Sequence, residues 1–172
     1  MNLTNTQTDV EQLLQAMAAQ LRTLLEQNQI SQPRMIGIHT GGAWIAERLH
    51  SLLGLTEPMG MLDISFYRDD FSRIGMHPQV KPSNLPFDVE DSNIILVDDV
   101  LQSGRTIRAA LNEIFDYGRP AQVILAVLVE RSGRELPIQA DVKGMTMQLK
   151  PDEQVKLSGP DQLSLVIQAH NE

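Results

Sequence analysis

The chain has 172 residues, 42% of them apolar and 21% charged, enough for one domain with its own core and an ordinary balance for a soluble globular protein. It contains no cysteine, which excludes disulfides and thiolate metal sites and fits a cytoplasmic setting. A formal net charge of −8 opposes non-specific binding to nucleic acid, and no apolar run approaches the ~18 residues of a membrane span.

The N-terminal "MNLTNTQTDV" is polar and lacks the basic-then-apolar layout of a secretory signal. From Asp9 to Gln27, Val10, Leu13, Leu14, Met17, Leu21, Leu24 and Leu25 fall on one face of an amphipathic helix. "RMIGIHTGG" then reads as a short apolar strand ending in a threonine and a glycine pair, with a helix over about Ala43 to Leu53. "MGMLDISFYRDDF" reads as a strand with a charged end at Arg68, Asp69 and Asp70. Ser72 to Pro86 carries three prolines and little periodicity, the pattern of an excursion or flap.

A strand over Asn93 to Val97 and a polar loop lead into a helix with Ile107, Ala110, Leu111, Ile114 and Phe115 on one face. "YGRP" ends that helix. "AQVILAVLVE" is a continuous apolar strand of the kind found inside parallel sheets. The remainder holds short strand-like pieces, notably "DQLSLVIQA". Alternation of helix and strand through the first 130 or so residues predicts an α/β fold with a mostly parallel central sheet flanked by helices.

"IILVDDVLQSGRT", residues 94–106, carries the clearest chemistry. In parallel sheets, ligands bind at the loops that follow the carboxyl ends of strands. Gly104 opens the next helix, whose first N–H groups suit a phosphate, and Ser103 and Thr106 add hydroxyl donors. Asp98 and Asp99 would repel that phosphate at contact, yet they suit sugar hydroxyls, or Mg²⁺ held through water. A ribose 5-phosphate satisfies both halves of the loop. Capping of the helix by the two acids is the alternative.

This stretch resembles the 5-phosphoribosyl 1-pyrophosphate (PRPP) signature of the type I phosphoribosyltransferases. "ISFYRDDF", "LPFDVED" and "DYGRPAQVILAVLVERSGRELPIQAD" extend the resemblance over nearly the whole chain, to the PyrR family of pyrimidine-operon regulators and uracil phosphoribosyltransferases. The resemblance implies one phosphoribosyltransferase domain over 1–172, with a flap over about 68–86 and a small C-terminal hood over about 141–157. It implies transfer of ribose phosphate from PRPP to uracil with Mg²⁺, giving UMP and pyrophosphate. The PRPP and nucleotide loop would be Asp98, Asp99, Val100, Leu101, Gln102, Ser103, Gly104, Arg105 and Thr106, with Asp98 and Asp99 toward ribose and metal.

A pyrophosphate loop falls on Thr40, Gly41 and Gly42, where the family usually shows Thr-Arg-Gly; a plain strand-to-helix turn is the alternative. Loss of that guanidinium removes a charge, while the backbone N–H groups remain to face an anion. Arg68 and Asp69 resemble the flap's base, with Arg68 directed at pyrophosphate or held in a surface ion pair. His77 lies on the flap, as a solvated side chain or a contact. Arg131 and Val155 border the base site by resemblance.

Some family members bind leader RNA. Here Gln139 and Met145 stand where relatives often carry Arg and Lys, so the basic patch is reduced to residues such as Arg134 and Lys143. Two further readings stay open: a catalytically weak regulator that senses UMP, and a transferase for another base, because the loop recognises only PRPP. Amphipathic helices and the resemblance imply a homo-oligomer, a dimer or tetramer.

Overall fold

The computed structural model describes residues 9–64 and 83–169. Helix α1 (Val10–Gln27) begins where the Asp9 carboxylate accepts hydrogen bonds from the N–H groups of Glu11 and Gln12, the expected N-cap arrangement. Its Val10, Leu14, Met17, Ala18 and Leu21 are buried, which is the stripe that the apolar spacing predicts. Strand β1 (Arg34–Ile38), helix α2 (Gly41–Leu52), strand β2 (Gly60–Leu62), strand β3 (Asn93–Leu101), helix α3 (Arg105–Tyr117) and strand β4 (Gln122–Arg131) follow. Strands β5 (Val142–Met147), β6 (Glu153–Ser158) and β7 (Ser164–Ala169) complete the described chain.

Five strands form one sheet in the order β2-β1-β3-β4-β5, and every pairing in it is parallel. Its central strands are apolar on both faces: Ile94, Ile95, Leu96, Val97 and Ala126 to Val129 have almost no exposed surface. Two clusters result, one beneath α1 and α2 and the other beneath α3. Each fully buried Leu or Ile side chain contributes about 1.5–3 kcal/mol relative to exposure. Strands β6 and β7 form a separate antiparallel pair. A lone hairpin is marginal in water, and this one rests Val155, Leu163 and Leu165 on the first cluster, with Gly159 close against the Trp44 ring.

Four boundaries differ from the sequence expectation. Helix α2 starts at Gly41, not near Ala43, because two glycines that read as loop have helical backbone. β2 is only three residues long; the charged end expected at Arg68 to Asp70 lies outside the described residues. β3 continues past Val97 to Leu101, pairing Asp98 with Val127 and Leu101 with Glu130, so the two acids lie within the strand. The hood expected over about 141–157 divides: β5 joins the central sheet beside β4, and the separate layer is the β6–β7 hairpin. Gly144 lets β5 approach β4, since a Cβ there would meet the Leu128 carbonyl at 2.7 Å.

Candidate active site

The C-terminal ends of β3 and β4, the start of α3 and one edge of β6 enclose a cavity of about 400 Å³. Asp99–Gly104, Thr106 and Ile107 form one side, Arg131 stands at the end of β4, and Gln154–Leu157 form the opposite wall. Along β6, Val155 is buried while Gln154 and Lys156 point outward. Four consecutive residues line the cavity nonetheless, so it is met by the strand's edge. β7 covers only the other edge. An unpaired edge presents backbone N–H and C=O groups in alternation, the complement of a ring that carries both donors and acceptors.

The two acids are held differently. Asp98 is 6% exposed, and its Oδ1 accepts the Asp99 N–H at 2.8 Å. Asp99 is half-buried, and its Oδ1 accepts the Val100 N–H at 2.8 Å. Neither of these bonds reaches α3, whose N-cap is Gly104 without a side-chain cap. Gly104 has φ +96°, a left-handed conformation that costs any residue with a Cβ. A Cβ there would also lie 3.3 Å from the side chains of Leu136 and Ile138. The Ser103 carbonyl accepts the N–H groups of Glu135 and Leu136, and the Ser103 hydroxyl accepts the Arg105 N–H at 3.2 Å. "RELPI" thus braces the loop from outside.

Arg105 turns away from the cavity and pairs with Glu135 at 2.8 Å. Of the nine loop residues singled out in the sequence, seven line the cavity; Asp98 supports it from behind and Arg105 faces out. Thr40, Gly41 and Gly42 adjoin them. A Cβ on Gly42 would meet the Val97 carbonyl at 2.7 Å, and one on Gly41 would overlap Asp99 Oδ2 and lie 2.8 Å from its Cγ. The start of α2 therefore packs directly on the acid pair. The His39–Thr40 peptide bond preceding it is cis. Arg68, Asp69 and His77 lie outside the described residues.

Arg131 and Val155, expected near the site, both line it. Sequence reasoning did not single out Gln154, Lys156, Leu157 or Ile107, which line it too. The alternation of "EQVKLS" was the available signal for β6, but it says nothing about which edge stays unpaired. Nearby, burial pushes the Glu130 carboxyl up, yet hydrogen bonds from Lys143 and the Ala140 N–H, with the charges of Lys143 and Arg134, outweigh it. The group is held below its usual range.

The family model for the phosphoribosyl transferase domain matches residues 6–162. The chain is 60% identical over 162 residues to the bifunctional protein PyrR of Nitrosococcus oceani, covering 93% of this chain and 92% of that protein. The chain belongs to the PyrR family of phosphoribosyltransferases. It is also 58% identical over 154 residues to the bifunctional protein PyrR of Pseudomonas aeruginosa, covering 90% of this chain and 91% of that one. Among solved structures, a hypoxanthine-guanine phosphoribosyltransferase from Bacillus anthracis has a TM-score of 0.68 at 19% identity, covering 90% of this chain and 88% of that one. A purine phosphoribosyltransferase from Pyrococcus horikoshii has a TM-score of 0.60 at 24% identity, covering 80% and 82%. These two likenesses establish the type I phosphoribosyltransferase fold. Among the described residues, no helix is long and apolar enough to cross a membrane.

Proposed function

We propose that the chain transfers the 5-phosphoribosyl group of PRPP to uracil, forming UMP and releasing pyrophosphate. One observation carries the reading: a single cavity joins the Asp99 carboxylate, the start of α3 and the edge of β6. The three match a ribose, its 5-phosphate and a base respectively. The N–H groups of the Leu101–Thr106 turn bind the phosphate, with the Ser103 and Thr106 hydroxyls beside them. Asp99 accepts hydrogen bonds from the ribose hydroxyls, and Asp98, behind it, accepts the Asp99 N–H and holds that turn in place. Thr40, Gly41 and Gly42, packed against Asp99, take the pyrophosphate on backbone N–H groups. Arg68 supplies charge to the leaving group, a role that rests on the resemblance of "YRDD" to the family's segment.

The chemistry asks mainly for orientation and charge stabilisation, because ribose C1′ passes through a cation-like state as pyrophosphate departs. Among the described residues, no cluster of three or more metal-ligating side chains occurs. Mg²⁺ keeps several waters and takes most remaining ligands from a substrate's phosphates; Asp99, on the cavity wall with Asp98 behind it, would hold it through water. When bound, the ion neutralises charge on the departing pyrophosphate. Uracil lies between α3 and β6, with the β6 backbone reading its edge.

A second role as a regulator that senses UMP is supported by the word "bifunctional" in the relatives' names. RNA as its partner draws less support from the charges. Lys143, in the reduced basic patch, is paired with Glu130, and the chain as a whole carries a formal charge of −8, which opposes binding to phosphates. The test of the main reading is product formation from PRPP, Mg²⁺ and uracil. UMP should appear at a rate that saturates in both substrates. Absence of UMP with a folded, PRPP-binding protein would leave the sensing role as the better account.

A further inference from the structure

Arg131 is the one buried cation among the described residues, 7% exposed. A buried charge is costly unless its donors are satisfied. Its Nε donates to the Ser132 carbonyl at 3.0 Å, and Nη1 donates to the Glu153 carbonyl at 2.8 Å. Glu153 is the first residue of β6, so the second bond reaches from the end of the central sheet to the start of the cavity's opposite wall. Ser132 fastens the approach to the same wall. Its hydroxyl donates to the Leu149 carbonyl and accepts the Leu149 N–H, both at 2.9 Å, and its own N–H donates to Met147. The turn between is closed by Lys150 and Glu153, each N–H of one bonding an oxygen of the other.

β6 belongs to a two-stranded sheet with no strand pairing to the central one. Its apolar contacts through Val155 fix its depth, and such contacts do little to fix its position along the strand direction. Directional bonds are needed for that. Arg131 also stands between the main cavity and a smaller one of about 190 Å³, bordering both. Its planar fork can address two carbonyls at fixed angles, which the point charge of lysine cannot.

Resting on the function proposed above, we propose that Arg131 is a positioning residue for the base. Its guanidinium sets where the edge of β6 lies, and thereby sets affinity for uracil and UMP while leaving the PRPP loop unaffected. It acts through the Glu153 carbonyl and need not touch the base.

The experiment compares the parent with Arg131→Gln, Arg131→Lys and Ser132→Ala. It measures KM for uracil and for PRPP, binding of UMP, and hydrogen exchange of residues 153–157 and of α1. Arg131→Gln should raise KM for uracil and weaken UMP by about tenfold or more, the scale of a lost hydrogen bond from a charged group. KM for PRPP should stay within about twofold, since the start of α3 is untouched. Arg131→Lys should fall between parent and Gln, and Ser132→Ala should shift the same quantities more weakly. Exchange at 153–157 should quicken in each variant while α1 keeps its protection. Should Arg131→Gln fail to fold, Arg131→Lys and Ser132→Ala decide the matter on the same measurements. Equal rises in both KM values, or an unchanged KM for uracil, would overturn the proposal. A parent that transfers no uracil refutes the function proposed above instead. UMP binding and exchange then decide: UMP weakened with exchange quickened at 153–157 sustains the role of Arg131, and unchanged UMP affinity overturns it.

Discussion

Substituting Gly41 tests the contact between the start of α2 and the acid pair. A Cβ at position 41 would overlap Asp99 Oδ2 and lie 2.8 Å from Cγ and 3.2 Å from Cβ of the same residue. Oδ2 and Cγ move when the side chain turns about its first torsion, and only the 3.2 Å contact with Cβ remains, so Gly41→Ala should cost the fold little, and alanine is the better helix former. Asp99 would swing, and the bond from the Val100 N–H to its Oδ1 would be lost. The loss of that bond, about 0.5–1.5 kcal/mol of stability, is offset by alanine's advantage over glycine in a helix, about 0.8–1 kcal/mol. Loss of the bond that Asp99 accepts from a ribose hydroxyl, by contrast, lowers PRPP affinity roughly two- to tenfold. Gly42→Ala is the contrast. There the new Cβ would meet backbone, the Val97 carbonyl at 2.7 Å and Asp98 Cα at 3.0 Å. Backbone cannot rotate away, and overpacking of this kind costs about 1–3 kcal/mol of stability.

Calorimetric PRPP binding and thermal melting on the two variants separate the effects. Gly41→Ala should melt with the parent and bind PRPP more weakly, while Gly42→Ala should melt lower. Gly41→Arg adds a cation to the same displacement of Asp99. From sequence alone its charge-assisted contact is expected to tighten both PRPP and pyrophosphate. With Asp99 displaced, the gain should appear for pyrophosphate and be offset for PRPP, which also needs the ribose acids. Parental PRPP affinity in Gly41→Ala would refute the reasoning.

Other outcomes follow from the same geometry. Asp99→Asn should weaken PRPP sharply with little change in melting temperature, and PRPP should raise the melting temperature of the parent; parental affinity in the variant, by calorimetry, would remove Asp99 from the site. Gly104→Ala, at φ +96°, should lower stability by about 1 kcal/mol and weaken PRPP, as read by denaturant melts and KM. The lowered Glu130 carboxyl stabilises the fold at pH values above the ordinary glutamate pKa of about 4.3, and that stability is lost as pH falls through the folded value. Glu130→Gln should therefore flatten the acid side of the stability–pH curve, measured by denaturation between about pH 3 and 7.

Periodicity made the sheet and α1 legible, because Val10, Leu14, Met17 and Leu21 repeat at helical spacing and "ILAVLV" is apolar throughout. The extension of β3 was hidden, since aspartates are poor strand formers and only the β4 ladder carries them. β5 falls within the range that the resemblance assigns to the hood, and "VKGMTM", neither wholly apolar nor cleanly alternating, carries no signal against that; Gly144 and its approach to Leu128 explain its place in the central sheet. The loop at 98–106 was legible as chemistry because its residue types conflict with a plain turn. The anchoring of β6 was not. A bond from Arg131 to Glu153 spans 22 residues and ends on a carbonyl, which leaves no trace in side-chain pattern.

The central claim is most directly tested by one reaction panel: PRPP and Mg²⁺ with uracil, hypoxanthine, guanine or orotate in turn, with the nucleotide product quantified. The account predicts UMP from uracil, at a kcat/KM well above that for either purine or for orotate. Nucleotide formation from hypoxanthine at a comparable kcat/KM would contradict it.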